Sequence, residues 1–297
     1  MQKNVLIKIY DHVCHKYKEQ ICWEVQRFSN NQQTGNITDE ELMTIYLFCV
    51  AYEEKYKIKS MYRHIKTYWS SWFPTLPSYQ TFNARLNKLC DAFDILMQDF
   101  FNSLPPQRDH IKIIMGDSFP VVTCSHKRKA KVARDLVDKG FCASKNLHYY
   151  GIKVHTFASR RATTIPFPQY FDITAASVHD LTASRAILEK MSADVSIVDK
   201  AYCDKELATK MQLNNNLLLT PIKDKKGWEA LLKKNDQAYV DLYNKAISSV
   251  RQPIESLFNW LNELTHIQNA SKVRSSSGLK LHIYGKLAAA FLILSNF

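Results

Sequence analysis

The sequence predicts an all-α region over residues 1–105 followed by an α/β domain over 106–297, a central sheet flanked by helices. Three observations carry this. Up to Phe100 apolar residues recur every three or four positions, the period of a helix with one buried face. Beyond Pro105-Pro106, short and continuously apolar runs of strand length alternate with helical stretches. The charge changes at the same place: residues 1–105 hold 12 Lys+Arg and 11 Asp+Glu, the rest 28 and 17, so a net +12 belongs almost wholly to the second part.

The elements follow in order. Val5, Ile9, Val13, Tyr17, Ile21, Val25 and Phe28 form one helical stripe, and polar Ser29 to Asn36 reads as a loop. Thr38 with Glu41 is a capping box opening a helix that turns Leu42, Ile45, Cys49 and Tyr52 inward. A shorter helix is expected from Ser60 to Trp69. Ser78 then caps a single long helix whose stripe is Phe82, Leu86, Leu89, Phe93, Leu96 and Phe100, ended by Pro105-Pro106. A helix, a turn and a capped helix admit a helix-turn-helix, with Gln80, Asn83, Arg85, Asn87 and Lys88 able to read base edges; an ordinary bundle is the alternative, and near-neutral charge favours it. Strands are expected at 111–115, 121–123, 151–157, 195–198 and 217–220, and helices at 204–211 and along Ile247, Val250, Ile254, Leu257, Leu261 and Leu264.

With 297 residues and 46% hydrophobic content the chain can bury a sizeable core, which excludes a disordered or fibrous protein. Seven cysteines without a CxxC pair fit a reducing compartment better than a disulfide framework. The start, MQKNVLIKIYDH, is too charged for a signal peptide, and the apolar run 287–294 is short of the ~20 residues that span a bilayer. A cytoplasmic protein without a membrane partner is expected. His12, Cys14, His15 and Cys22 match no zinc-finger spacing.

Residues 127–161 hold ten Lys+Arg against Asp135 and Asp138, including Lys127, Arg128, Lys129, Lys131, Arg160 and Arg161. Such a run, broken by His148, Tyr149 and Tyr150, points to a polyanion, with nucleic acid the expected partner.

Two strand candidates end in an acid. Asp117 follows Ile111 to Gly116, where glycine is expected to let the backbone turn, and Asp199 follows Val195 to Val198. Glu255 stands one helical turn after Arg251, beside the apolar stripe. Phosphodiester cleavage and strand transfer use two hard cations ~3.5–4 Å apart, and three carboxylates can hold two Mg²⁺ while leaving positions for phosphate. Asp117 would bridge both ions, with Asp199 and Glu255 binding one each.

Asp117-Ser-Phe-Pro, Val198-Asp199-Lys-Ala-Tyr202 and Arg251-Gln-Pro-Ile-Glu255-Ser-Leu-Phe-Asn-Trp260 resemble the DDE transposases of bacterial insertion sequences, most closely the insertion-sequence-982 group, from about Ile111 to the C-terminus. The resemblance implies an RNase H-like catalytic domain with a mixed sheet and a triad of Asp117, Asp199 and Glu255 with two Mg²⁺ or Mn²⁺ ions. It also implies cutting and joining of DNA at the element's terminal inverted repeats and in target DNA, in which a homodimer is plausible. Arg251 would contact phosphate or orient Glu255, with a simple ion pair the alternative. Lys200 and Tyr202 would touch phosphate or stack on a base, with core packing the alternative for Tyr202. His179-Asp180 is similar to a His-Asp element near the active site of related transposases, with a helix cap the alternative for Asp180. Ser248 and Asn262 stand where the related signature has Tyr and Lys, so those contacts do not carry over. Pro253 either lies in the first turn of its helix or kinks it. Rival classes are a transposase-derived DNA binder without catalysis and an RNase H-fold nuclease that cuts without joining.

Overall fold

A computed structural model describes residues 2–25, 37–103, 111–127, 131–142, 146–161, 164–222 and 230–295. In chain order its elements are α1 (Gln2–Lys16), a π-helical turn (Tyr17–Ile21), α2 (Cys22–Glu24), α3 (Asp39–Ala51), α4 (Ile58–Tyr68), α5 (Tyr79–Lys88) and α6 (Cys90–Asn102). There follow β1 (Ile113–Ser125), β2 (Asp138–Cys142), β3 (Leu147–Ser159), β4 (Phe167–Ala175), α7 (Asp180–Lys190) and β5 (Val195–Val198). A 3-10 turn (Lys200–Tyr202), α8 (Lys205–Leu213), β6 (Leu217–Leu219), α9 (Ala230–Arg251), α10 (Pro253–Thr265) and α11 (Ser276–Leu294) complete the chain. Phe28, the loop 29–36 and Pro105-Pro106 lie outside the described residues.

The chain packs as two units. One comprises Met1–Pro105, Ala130–Asp135 and Leu261–Phe297; the other comprises Pro106–Lys129 and Leu136–Trp260. This departs from the expected contiguous division after residue 105, and the reason is α11. Its 19 residues have the length and composition of a membrane-crossing helix, yet eleven of them are buried against α3 and α6, so it is the core helix of the helical unit.

Within the helical unit the expected cap of α3 is present: Glu41 N–H donates to Thr38 Oγ1 at 3.2 Å, and Thr38 N–H to Glu41 Oε2 at 2.7 Å. Residues 42–50 are buried on every side, which is why α3 lacks the one-sided stripe expected of a surface helix. The long helix expected after Ser78 is two. Leu89 leaves helical geometry at φ −88°, ψ 11°, and α6 starts anew at Cys90, although the whole apolar stripe is buried as expected. Two features bear on the helix-turn-helix reading. Ten residues, not a tight turn, separate α4 from α5. Arg85, moreover, is committed internally, donating to Asp39 Oδ1 at 2.6 Å and to the Ile37 carbonyl at 2.5 Å, while Asn87 donates to the Asn83 carbonyl.

The other unit is a mixed sheet. β3 pairs antiparallel with β1 on one edge and with β2 and β4 on the other; β1 pairs parallel with β5, and β5 with β6. The two strands expected at 111–115 and 121–123 are one. β1 runs through Gly116 and Pro120 without a break. Its pairing with β5 ends at Gly116, so the missing N–H of Pro120 costs no bond to β5. β2 and β4 escaped the sequence pattern because they are edge strands with polar residues and, in β4, Pro168. Ile114, Phe157, Leu188, Val198, Tyr202, Leu207 and Met211 form one core, which places α7 and α8 on one face of the sheet. Phe258 of α10 packs 4.8 Å from Phe119 of β1.

Candidate active site

The site is built where β1 outruns β5. Gly116 pairs with Val198, the last residue of β5, and each strand's next residue is an aspartate. Asp117 and Asp199 are thereby register neighbours at the carboxyl end of β5, the kind of crevice where ligands of open α/β sheets collect. Gly116 makes no turn. A Cβ there would meet the Phe157 ring at 2.3 Å and Val198 at 2.9 Å, so the glycine is needed for close packing.

Glu255 is brought up by the helices. α9 ends at Arg251, Gln252 is a turn and Pro253 starts α10, where its missing N–H has no intrahelical acceptor to lose. Of the two arrangements open to Pro253, a helical start is the one adopted. Ile254 and Leu257 are fully buried. Phe119 lies two residues beyond Asp117 on the same strand face, and Phe258 against it holds Glu255, one turn earlier, near that face. The Arg251 guanidinium joins the parts: it ion-pairs with Asp117 Oδ2 through Nη1 and with Glu255 Oε1 at 3.5 Å through Nη2. Arg251 and Asp117 are mostly shielded, whereas the Glu255 side chain is 58% exposed.

Burial is the largest influence on the Asp117 carboxyl and pushes its pKa up from 3.8 to about 6. Arg251 and the N–H of Ser118 pull it down, and Asp199 pushes it further up. The three carboxylates are not gathered as one ready set: among the described residues no three His, Cys, Asp or Glu are grouped closely enough to hold a metal. Two acids meet, and the third is linked to them through a guanidinium. The donor set is all carboxylate oxygen, which suits a hard cation, and mutual repulsion between Asp117 and Asp199 is what a cation would relieve.

A polar cluster stands beside Asp117. Asp180 Oδ1 accepts from Ser118 Oγ at 2.9 Å and from Lys153 Nζ at 3.2 Å, and His155 Nδ1 lies 3.7 Å away. Burial holds His155 toward its neutral form. These contacts fasten the start of α7 to β1 and β3. Sequence reasoning missed Ser118, Lys153 and His155. Their signal was the two-residue alternation of Lys153 and His155, which the register sets opposite Pro120 and Ser118.

Other expected site residues are distributed differently. The cap of α7 is His179, whose exposed ring accepts from Leu181 N–H at 3.3 Å, while Asp180 serves the cluster. Tyr202 is buried in the core among Phe157, Leu188 and Leu207, and cannot stack on a base. Lys200 is exposed directly after Asp199. Lys127 is exposed just past β1, Arg128 and Lys129 lie outside the described residues, and exposed Lys131 belongs to the helical unit. Arg160 is exposed, but Arg161 donates to the Ile165 carbonyl at 2.9 Å and lies over the Phe167 ring. Within the basic stretch, Lys153 and Arg161 make internal contacts.

The sheet edge thus carries neighbouring aspartates, with a glutamate on a late helix linked to one of them through Arg251. The family model described as Transposase DDE domain matches residues 109–292, more than half of the chain, and the chain belongs to that family. Its members are transposases, enzymes that bind DNA and generally use divalent metal ions. No curated protein matches the chain.

Proposed function

We propose that this chain is an insertion-sequence transposase of the 982 kind, with an RNase H-like catalytic unit, and that Asp117, Asp199 and Glu255 are its catalytic residues. The observation that carries the reading is the register-fixed adjacency of Asp117 and Asp199, with Arg251 linking Asp117 to Glu255. The three carboxylates would hold two Mg²⁺ or Mn²⁺ ions, whose chemistry is to activate the attacking oxygen and stabilise the leaving oxygen. The partial burial that raises the pKa of Asp117 also limits the access of water to its carboxylate. Arg251 has the planar fork that fits a phosphate as well as a carboxylate, and it positions Glu255 through their ion pair. The Asp180 cluster keeps β1 and α7 rigid beside Asp117.

In the first step the oxygen of water attacks phosphorus at the element end, the P–O3′ bond breaks, and the strand leaves with a free 3′-hydroxyl. In the second step that hydroxyl attacks a target phosphodiester, one P–O bond forming as another breaks. Synapsis of two ends calls for a homodimer, and seven cysteines without a CxxC pair suit work in the cytoplasm.

Asp117→Asn, Asp199→Asn and Glu255→Gln are each expected to lower divalent-dependent cleavage and joining at least about 1,000-fold. Electrophoretic mobility shifts with element-end DNA should persist in all three. Wild-type cleavage by any one removes that residue from the mechanism. Cut ends never found joined to a second DNA would make the protein a nuclease, and bound but uncut DNA a binder.

A further inference from the structure

The helical unit contains a cavity of about 660 Å³, a volume within the range of ligand-sized sites. Its walls come from α3, the α3–α4 connection, the start of α4, α5, the α10–α11 connection and α11, and none of the carboxylates above contributes. Lys57, Lys59 and Lys272 line it, exposed and without an ion-pair partner among the described residues, and Glu54 is the one acid in the described wall.

Lys286, only 1% exposed, is also in the wall. Its Nζ donates to the His266 carbonyl at 3.1 Å. His282 Nε2 is 3.5 Å away, but that nitrogen already faces the Ile267 carbonyl at 2.8 Å and must carry its proton there, so it cannot accept from Lys286. An ammonium has three donors, so the buried cation is left with capacity for a ligand. Burial also pulls its pKa down to about 7, a cost that an anion in the cavity would offset.

One further feature marks the place. The Tyr56 and His266 rings stack at 4.3 Å and line the cavity, offering an aromatic platform.

We propose that this cavity binds unpaired DNA, with Lys57, Lys59 and Lys272 on the phosphates, Lys286 donating to an acceptor on the bound nucleotide and the Tyr56–His266 pair stacking on its base. A cationic groove with an aromatic platform is how single strands are held without sequence preference. This goes beyond the catalytic reading and does not rest on it.

The test is fluorescence anisotropy of the full chain with a labelled oligothymidylate a few nucleotides long, in EDTA. Combined Lys57→Ala, Lys59→Ala and Lys272→Ala should weaken binding at least about tenfold and flatten the salt dependence by roughly 0.7 log units for each phosphate that is no longer neutralised. Tyr56→Leu should weaken it at least about fivefold, whereas Tyr56→Phe, which keeps the ring, should bind as wild type. Lys286→Met should weaken binding with its melting temperature retained. Unchanged affinity in the triple variant, or equal affinity of Tyr56→Leu and wild type, overturns the proposal. Displacement of the probe by free thymidine monophosphate at equal concentration would also overturn it, in favour of a mononucleotide site. No cleavage is read, so failure here leaves the carboxylate reading standing.

Discussion

Asp117 carries two burdens that its position on β1 imposes: removal from water and a neighbouring acid. With a folded-state pKa raised from 3.8 to about 6, the native protein holds this proton to higher pH than the unfolded chain does. Stability therefore falls as pH rises from about 4 to about 6 and then levels off. In chelator at pH 7, Asp117→Asn is expected to be more stable than wild type by on the order of 2 kcal/mol, with the gap closing below about pH 4. Urea melts across pH check it, and a gap that widens on acidification would refute the sign. Gly116 is the other residue-scale constraint. Gly116→Ala pushes a methyl into the Phe157 ring and should cost about 1–3 kcal/mol, read in the same melts. Both residues stood out in the sequence, but the glycine for the wrong reason: it makes room and turns nothing.

At the scale of elements, the local signals match the structure better than the extents of several elements do. The capping box at Thr38 and Glu41 is present in both its hydrogen bonds, and Thr38→Ala should cost about 1 kcal/mol in chemical denaturation, most of it recovered by Thr38→Ser. A Ser78 cap and the stripe from Phe82 to Phe100 are also observed, yet the helix breaks at Leu89. No proline or glycine stands at the break, so the local sequence does not announce it. Pro253 shows the reverse. The proline marks a boundary that the apolar stripe from Ile247 to Leu264 ignores, and the chain starts a new helix there while keeping Arg251 within reach of Glu255.

At the scale of the molecule, the C-terminal segment belongs to the helical unit, with α11 buried against α3 and α6. A fragment ending at residue 105 lacks that core helix. It is expected to show no cooperative thermal transition by circular dichroism; a sharp melt would mean that α11 is dispensable to the unit. By length and composition α11 passes for a membrane-crossing helix, and two thirds of its apolar window is buried inside the protein.

What the sequence alone determined is what depends on neighbours in the chain: the helical period of the first third, the caps, the apolar strands β5 and β6, and the acids at positions 117, 199 and 255. The edge strands β2 and β4, the unbroken course of β1 and the Ser118, Lys153, His155 and Asp180 cluster were decided by pairing between residues far apart. So were the packing of α11 and the guanidinium between Asp117 and Glu255. A residue's own propensity reaches only a turn or two along the backbone, whereas register and burial are settled by whichever partners the folded chain brings alongside.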